Sequence, residues 1–184
     1  MQWRNSTRNY GLTSILLHWG VALAVVGLFA LGLWMRGLNY YSEWYRTAPD
    51  IHKSVGLILL AVMVLRLVWR WISPPPAALS THSQLVRLAS TAGHLTLYAG
   101  LFVVMLSGYL ISTADGRPIS VFGWFEVPAL ITGIPRQEDV AGDIHFYAAW
   151  ALVILAALHA LAAFKHHLID RDDTLRRMFG RAKH

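Results

Sequence analysis

The sequence predicts an all-α fold, a four-helix transmembrane bundle, from three features. Of its 184 residues, 55% are hydrophobic and only 14% charged, against roughly 25% charged in an ordinary soluble domain. Mean hydropathy is +0.44. Four apolar stretches each approach the roughly 20 residues a helix needs to cross a hydrocarbon core, where helices satisfy their own backbone groups.

The first span is expected at 12–35, with Trp19 and Trp34 near the two interfaces. The second, 54–72, stops at Ser73-Pro74-Pro75-Pro76, because proline cannot continue the hydrogen-bond ladder. The third covers 92–112 and the fourth 144–164. No internal repeat or low-complexity tract divides the chain, so residues 1–184 read as one membrane-embedded domain. No signal peptide is expected at Met-Gln-Trp-Arg-Asn-Ser-Thr-Arg. The first apolar run is too long for a signal core and lacks a small-residue cleavage site.

The formal charge is +6 and the isoelectric point about 10.0. In a soluble protein this would suggest nucleic acid. Here the basic residues flank apolar spans, so topology explains them and a nucleic-acid partner is not expected. Arg4, Arg8, Arg66, Arg70, Arg87, Lys165, Arg171, Arg176, Arg177, Arg181 and Lys183 fall on one side. Arg36, Arg46, Lys53, Arg117 and Arg136 fall on the other. The richer side should be cytoplasmic, with both termini there. Glu43, Asp50, Asp115, Glu126, Glu138, Asp139 and Asp143 lie outside. The long outer loop, about 113–143, carries Val121-Phe122-Gly123-Trp124-Phe125 and Pro128-Ala129-Leu130-Ile131. It is expected to lie on the membrane surface over a site, the alternative being a loop with apolar anchors.

Cysteine is absent, which excludes disulfides, thiolate metal sites, iron–sulfur clusters and covalent haem attachment. Histidine carries the remaining chemistry. His145 and His159 are fourteen residues apart, about four helical turns, with a residual rotation of roughly 40° and a rise of roughly 21 Å. Both project from nearly one face, one toward each edge of a bilayer. His18 lies at the depth of His159, and His52 at the depth of His145. The pairs His18/His159 and His52/His145 could each clamp one haem iron. A lone intramembrane histidine is often a helix–helix hydrogen-bond partner; four at complementary depths read better as ligands.

Arg66 follows His52 by fourteen residues and so faces the inner pair, where a haem propionate needs a guanidinium. Arg36, eighteen residues after His18, shares its face at the outer end. Snorkelling to the interface is the alternative for Arg36 and for Arg70. His94 has no partner at matching depth once the four are assigned. It is expected to bond a propionate or a quinone carbonyl, packing being the alternative. His166 and His167 border a quinone pocket or simply end a helix. His82 and His184 are expected to be solvated. A phosphate loop, a His-Glu-x-x-His site and a catalytic triad are not seen, and the spans hold almost no carboxylates for cation coupling.

The motifs Ser14-Ile15-Leu16-Leu17-His18-Trp19, Ile51-His52-Lys53-Ser54-Val55-Gly56, Gly93-His94-Leu95-Thr96-Leu97-Tyr98, Gly108-Tyr109, Ile144-His145 and Leu158-His159-Ala160 stand in order along the chain. With Arg66 and the tail Lys165-His166-His167 and Asp172-Asp173-Thr174-Leu175-Arg176-Arg177-Met178, the whole chain resembles the bacterial cytochrome b561 family. That resemblance implies a multi-pass protein of the bacterial inner membrane carrying two haem b groups and exchanging electrons with the quinone pool. The expected acceptor is ubiquinone. The expected donor is periplasmic, either superoxide, drawn by Arg36, Arg46 and Lys53, or a redox protein. Two other readings compete: the membrane cytochrome subunit of a dehydrogenase, and a non-haem metal-binding or transport protein. Histidines roughly 21 Å apart on one helix cannot share a single ion.

Overall fold

A computed structural model describes residues 2–180. The chain runs α1 (Leu12–Met35), α2 (Thr47–Ile72), α3 (Gln84–Ser112), β1 (Ile119–Val121), β2 (Phe125–Val127), α4 (Gln137–Leu168) and the short α5 (Thr174–Arg177). The four long helices are each long and apolar enough to cross a membrane.

Three helices begin earlier than their apolar runs. α2 starts at Thr47 because the Ala48 N–H already bonds the Trp44 carbonyl, and Asp50 complements the positive end of its dipole. α3 starts at Gln84, where the Ser83 hydroxyl accepts the Val86 N–H at 3.3 Å and caps the first turn. α4 starts at Gln137 with Glu138 and Asp139 in its first turn and ends on Lys165, His166 and His167, both ends matching the helix dipole. Apolarity marks only the stretch that lipid can hold; capping and charge carry each helix further.

The chain divides into two compact units. The first takes the N-terminal segment to Val21, Val62–Tyr98 and the chain from Ile154 onward. Here Asn5 clips the N-terminus in place: its amide donates to the Ser73 carbonyl at 2.8 Å, and its side-chain oxygen accepts the Gly11 N–H at 2.8 Å. Only glycine fits at 11, since a Cβ would come within 2.4 Å of the Trp3 carbonyl oxygen and the Arg4 carbonyl carbon. The Trp19 indole donates to the Met178 carbonyl at 2.9 Å and stacks on Phe179, fastening the C-terminal segment.

His82, expected from its loop position to be solvated, is instead largely buried. Its Nε2 lies 2.8 Å from Asp172 Oδ2 and its ring packs 4.9 Å from that of His166. The turn after α4 brings Asp172 back, with its N–H on the His166 carbonyl. Burial pushes the Asp172 carboxyl up, but hydrogen bonds from His82 and Thr174 outweigh it and hold the group below its ordinary value. His184 lies outside the described residues.

The second unit holds Ala22–Ala61 and Ala99–Val153. The long loop contains a small antiparallel hairpin, β1 against β2 with Val121 opposite Phe125, where only irregular chain was expected. Its turn closes through the Trp124 N–H on the Val121 carbonyl, with Phe122 and Gly123 at φ 50° and 73°. Phe122 is an unusual residue for that region. It is held there because its N–H donates to the Ser54 hydroxyl at 3.1 Å. The buried Ser54 therefore ties the hairpin to α2 two residues beyond His52. The Tyr109 hydroxyl fixes the rest of the loop, donating to the Pro128 carbonyl and accepting the Leu130 N–H, both at 2.8 Å.

Candidate cofactor site

In the second unit, α2 supplies His52 and α4 supplies His145. Their ring centroids are 6.1 Å apart with planes at 71°. His145 Nδ1 lies 2.8 Å from the Val104 carbonyl, which can only accept. The proton therefore sits on Nδ1, and the Nε2 lone pair is left free for a metal. Two glycines make room for these rings. A Cβ at Gly108 would stand 3.0 Å from His145 Cε1, and one at Gly32 would stand 3.3 Å from His52 Cε1. His52 Nδ1 is buried with no hydrogen-bond partner. Such an orphan costs about 1–3 kcal/mol, so the structure retains this ring at a penalty.

In the first unit, α1 supplies His18 and α4 supplies His159, with centroids 6.3 Å apart and planes at 64°. Arg66 Nη2 lies 3.1 Å from His18 Nδ1, and its guanidinium sits 5.4 Å over the Tyr98 ring. A guanidinium only donates, so His18 accepts on Nδ1 here. His94, left without a partner of its own once the four are assigned, lies against one of them: its ring is 5.3 Å from that of His159. α3 passes close enough to bring a third imidazole to the pair.

Distance tests which rings could share an iron. Two metal–nitrogen bonds of about 2.0 Å, plus about 1.1 Å from each nitrogen to its ring centre, separate the centroids by about 6.2 Å. The spacings of 6.3 and 6.1 Å for His18/His159 and His52/His145 match this value. The 5.3 Å of His94/His159 is too short. The residues present therefore fit two bis-imidazole haem sites, with His94 beside one of them rather than in it. Arg36 stands in the second unit with its guanidinium 4.5 Å over the Phe146 ring, next to His145.

Gly32 and Ser54 had no assigned role in the sequence reading, nor did the Val104 carbonyl. For the glycines a signal was present. Gly32 follows His18 by fourteen residues and Gly108 follows His94 by fourteen, the interval that separates His52 from Arg66 and His145 from His159. Each long helix thus repeats a functional position after about four turns. No local pattern announces the Val104 carbonyl.

Apolar helices bearing imidazoles paired at iron-spanning distance define a membrane electron-transfer protein of the cytochrome b class. The chain belongs to the prokaryotic cytochrome b561 family, which matches residues 9–181. It is 53% identical over 182 residues to cytochrome b561 homolog 2 of Escherichia coli K12, covering 99% of this chain and 97% of that one. It is 30% identical over 183 residues to cytochrome b561 homolog 1 of the same organism, covering 95% and 98%. It is 26% identical over 180 residues to the probable superoxide oxidase CybB of Yersinia pestis, covering 93% and 96%. The protein is thus a multi-pass protein of the bacterial inner membrane, and its family implies haem b as cofactor.

Proposed function

We propose that the chain binds two haem b groups, one through His18 and His159 and one through His52 and His145, and passes electrons from a periplasmic donor to ubiquinone. The observation that carries this reading is the recurrence of one imidazole spacing, 6.3 and 6.1 Å, in two separate units. A haem held by two imidazoles exchanges single electrons and leaves no open position for oxygen. The surplus of Lys and Arg in the N-terminal segment (Arg4, Arg8), in the facing ends of α2 and α3 (Arg66, Arg70, Arg87) and on the tail supports an orientation with both termini in the cytoplasm. That orientation makes the His52/His145 unit the periplasmic one.

The chain's own residues then have distinct tasks. Val104 fixes the His145 tautomer. Arg66 supplies a positive charge beside His18. If Nε2 of His18 holds iron, its Nδ1 carries the proton and cannot accept from Arg66, which is left to pair with a haem carboxylate. His94, against His159, is placed to bond a second carboxylate or a quinone carbonyl. Arg36 serves the periplasmic site.

Superoxide is the donor that fits best. Arg36, Arg46 and Lys53 all belong to the His52/His145 unit, although Asp50 offsets part of the Lys53 charge at 2.8 Å. A relative is named as a probable superoxide oxidase. Two superoxide ions would give up one electron each and leave as oxygen, while ubiquinone takes both electrons and two protons. Stopped-flow mixing of the oxidised protein with superoxide should reduce haem rapidly. The rate should fall as salt rises from about 0.01 to 0.15 M, because the Debye length shrinks from roughly 30 to 8 Å. A protein that stays oxidised excludes superoxide and leaves a redox protein as donor.

A further inference from the structure

We propose a second, non-haem metal site at the end of α4: a divalent transition ion of the zinc class held by His82, His166 and Asp172. One ligand atom from each residue lies within 4.8 Å of the other two. His82 Nε2 is 2.8 Å and His166 Nδ1 3.4 Å from the same oxygen, Asp172 Oδ2. A tetrahedral ion with bonds of about 2.0–2.1 Å separates its ligands by about 3.3 Å. These two edges bracket that value, so small side-chain rotations would admit the ion.

The ligands are aimed before any ion arrives. The Thr174 N–H holds Asp172 Oδ1 at 2.8 Å, and the Asp172 N–H bonds the His166 carbonyl at 3.1 Å. Oδ2 is left facing the two rings. His82 sits in a turn closed by its N–H on the Leu79 carbonyl, and its own carbonyl accepts the Arg87 side chain at 3.1 Å. Such outer contacts are what orient metal ligands.

A second observation separates this cluster from an ordinary ion pair. His166 Nδ1 is buried and makes no properly directed hydrogen bond, although Asp170 Oδ2 lies 2.7 Å away and Asp172 Oδ2 3.4 Å away. Two imidazoles and a carboxylate thus converge on one point. Asp170 is bound to Lys165 at 2.7 and 2.9 Å and stands outside this set of three. Two nitrogens with carboxylate oxygens suit zinc and its neighbours rather than calcium or magnesium. The ion would tie the loop between α2 and α3 to the segment after α4. None of the four imidazoles paired for haem takes part.

The test uses the untagged, haem-loaded protein in lipid nanodiscs, stripped by chelator and titrated calorimetrically with zinc chloride alone. Wild type should saturate at one zinc per chain. His82→Gln and Asp172→Asn should each weaken binding by at least about tenfold, with the haem spectrum unchanged. His184→Gln, at the tail end, should bind as wild type does. Absence of stoichiometric zinc, or equal affinity in His82→Gln and Asp172→Asn, overturns the proposal. Should either variant lose its haem spectrum, X-ray absorption at the zinc edge of wild type decides. Two imidazoles in the shell support the site, and none or one contradicts it.

Discussion

Replacing His145 with alanine should halve the haem bound per chain, and replacing His159 should remove the other half. Each substitution would leave one imidazole of a proposed pair without its counterpart. The partners belong to different compact units, so the two losses should be nearly independent, as for sites that share no contacts. The haem-to-protein ratio of each purified variant measures this, and the double variant should carry none. The expected loss at His145 exceeds that of removing an ordinary buried ring, because the Val104 carbonyl holds its Nδ1 and Gly108 leaves room for the ring. The same logic assigns Arg66. Arg66→Leu should lower the midpoint potential of the haem that His159→Ala removes, by roughly 50 mV. That is the scale of a unit charge about 10 Å away at an effective dielectric near 20, discounted for screening. The other haem should keep its potential. Loss of both haems from a single histidine variant that remains folded would contradict the assignment of separate pairs.

The second large effect is steric. Gly108→Val should empty the same site as His145→Ala although it removes no ligand. Even the first added carbon meets His145 Cε1 at 3.0 Å and Nδ1 at 3.1 Å, well inside the 3.5–4.0 Å of a relaxed carbon contact. The ring must retreat by about half an ångström, which strains its 2.8 Å bond to the Val104 carbonyl. Overpacking of this kind costs about 1–3 kcal/mol, and misdirecting a metal ligand typically lowers affinity about 10- to 100-fold. Gly20→Ala is the control. Position 20 is exposed in the middle of α1 with nothing near its would-be Cβ. It should keep both haems and stabilise the helix by up to about 1 kcal/mol. Full haem content in Gly108→Val would show that the His145 ring has more freedom than the packing implies.

The long helices were readable because each apolar run approaches the length that a bilayer core requires, and the 3.6-residue period assigned the histidines a face and a depth. That period converts the spacing of His145 and His159 into depth and direction without any knowledge of neighbours. The features that were not readable depend on chain segments meeting far along the sequence. His82 looked like an ordinary loop residue because its partner, Asp172, arrives only after α4 has turned back. The Ile119–Val127 hairpin has two three-residue strands, too short for alternation to reveal. It persists because a hydroxyl on α2, Ser54, holds its turn. That His94 lies against His159 was not readable, because the approach depends on how α3 lies beside α4. The fourteen-residue interval to Gly108 pointed to the right face of α3, yet a glycine reads as a packing residue until the ring it accommodates is known.

The most direct test of the account is a reduced-minus-oxidised spectrum of the purified protein in detergent, combined with haem and protein quantification on the same sample. Two bis-imidazole sites predict a low-spin b-type α-band and two haems per chain, with redox titration resolving two components. A chain that carries no haem, or one whose only haem survives His52→Ala and His145→Ala alike, would contradict it.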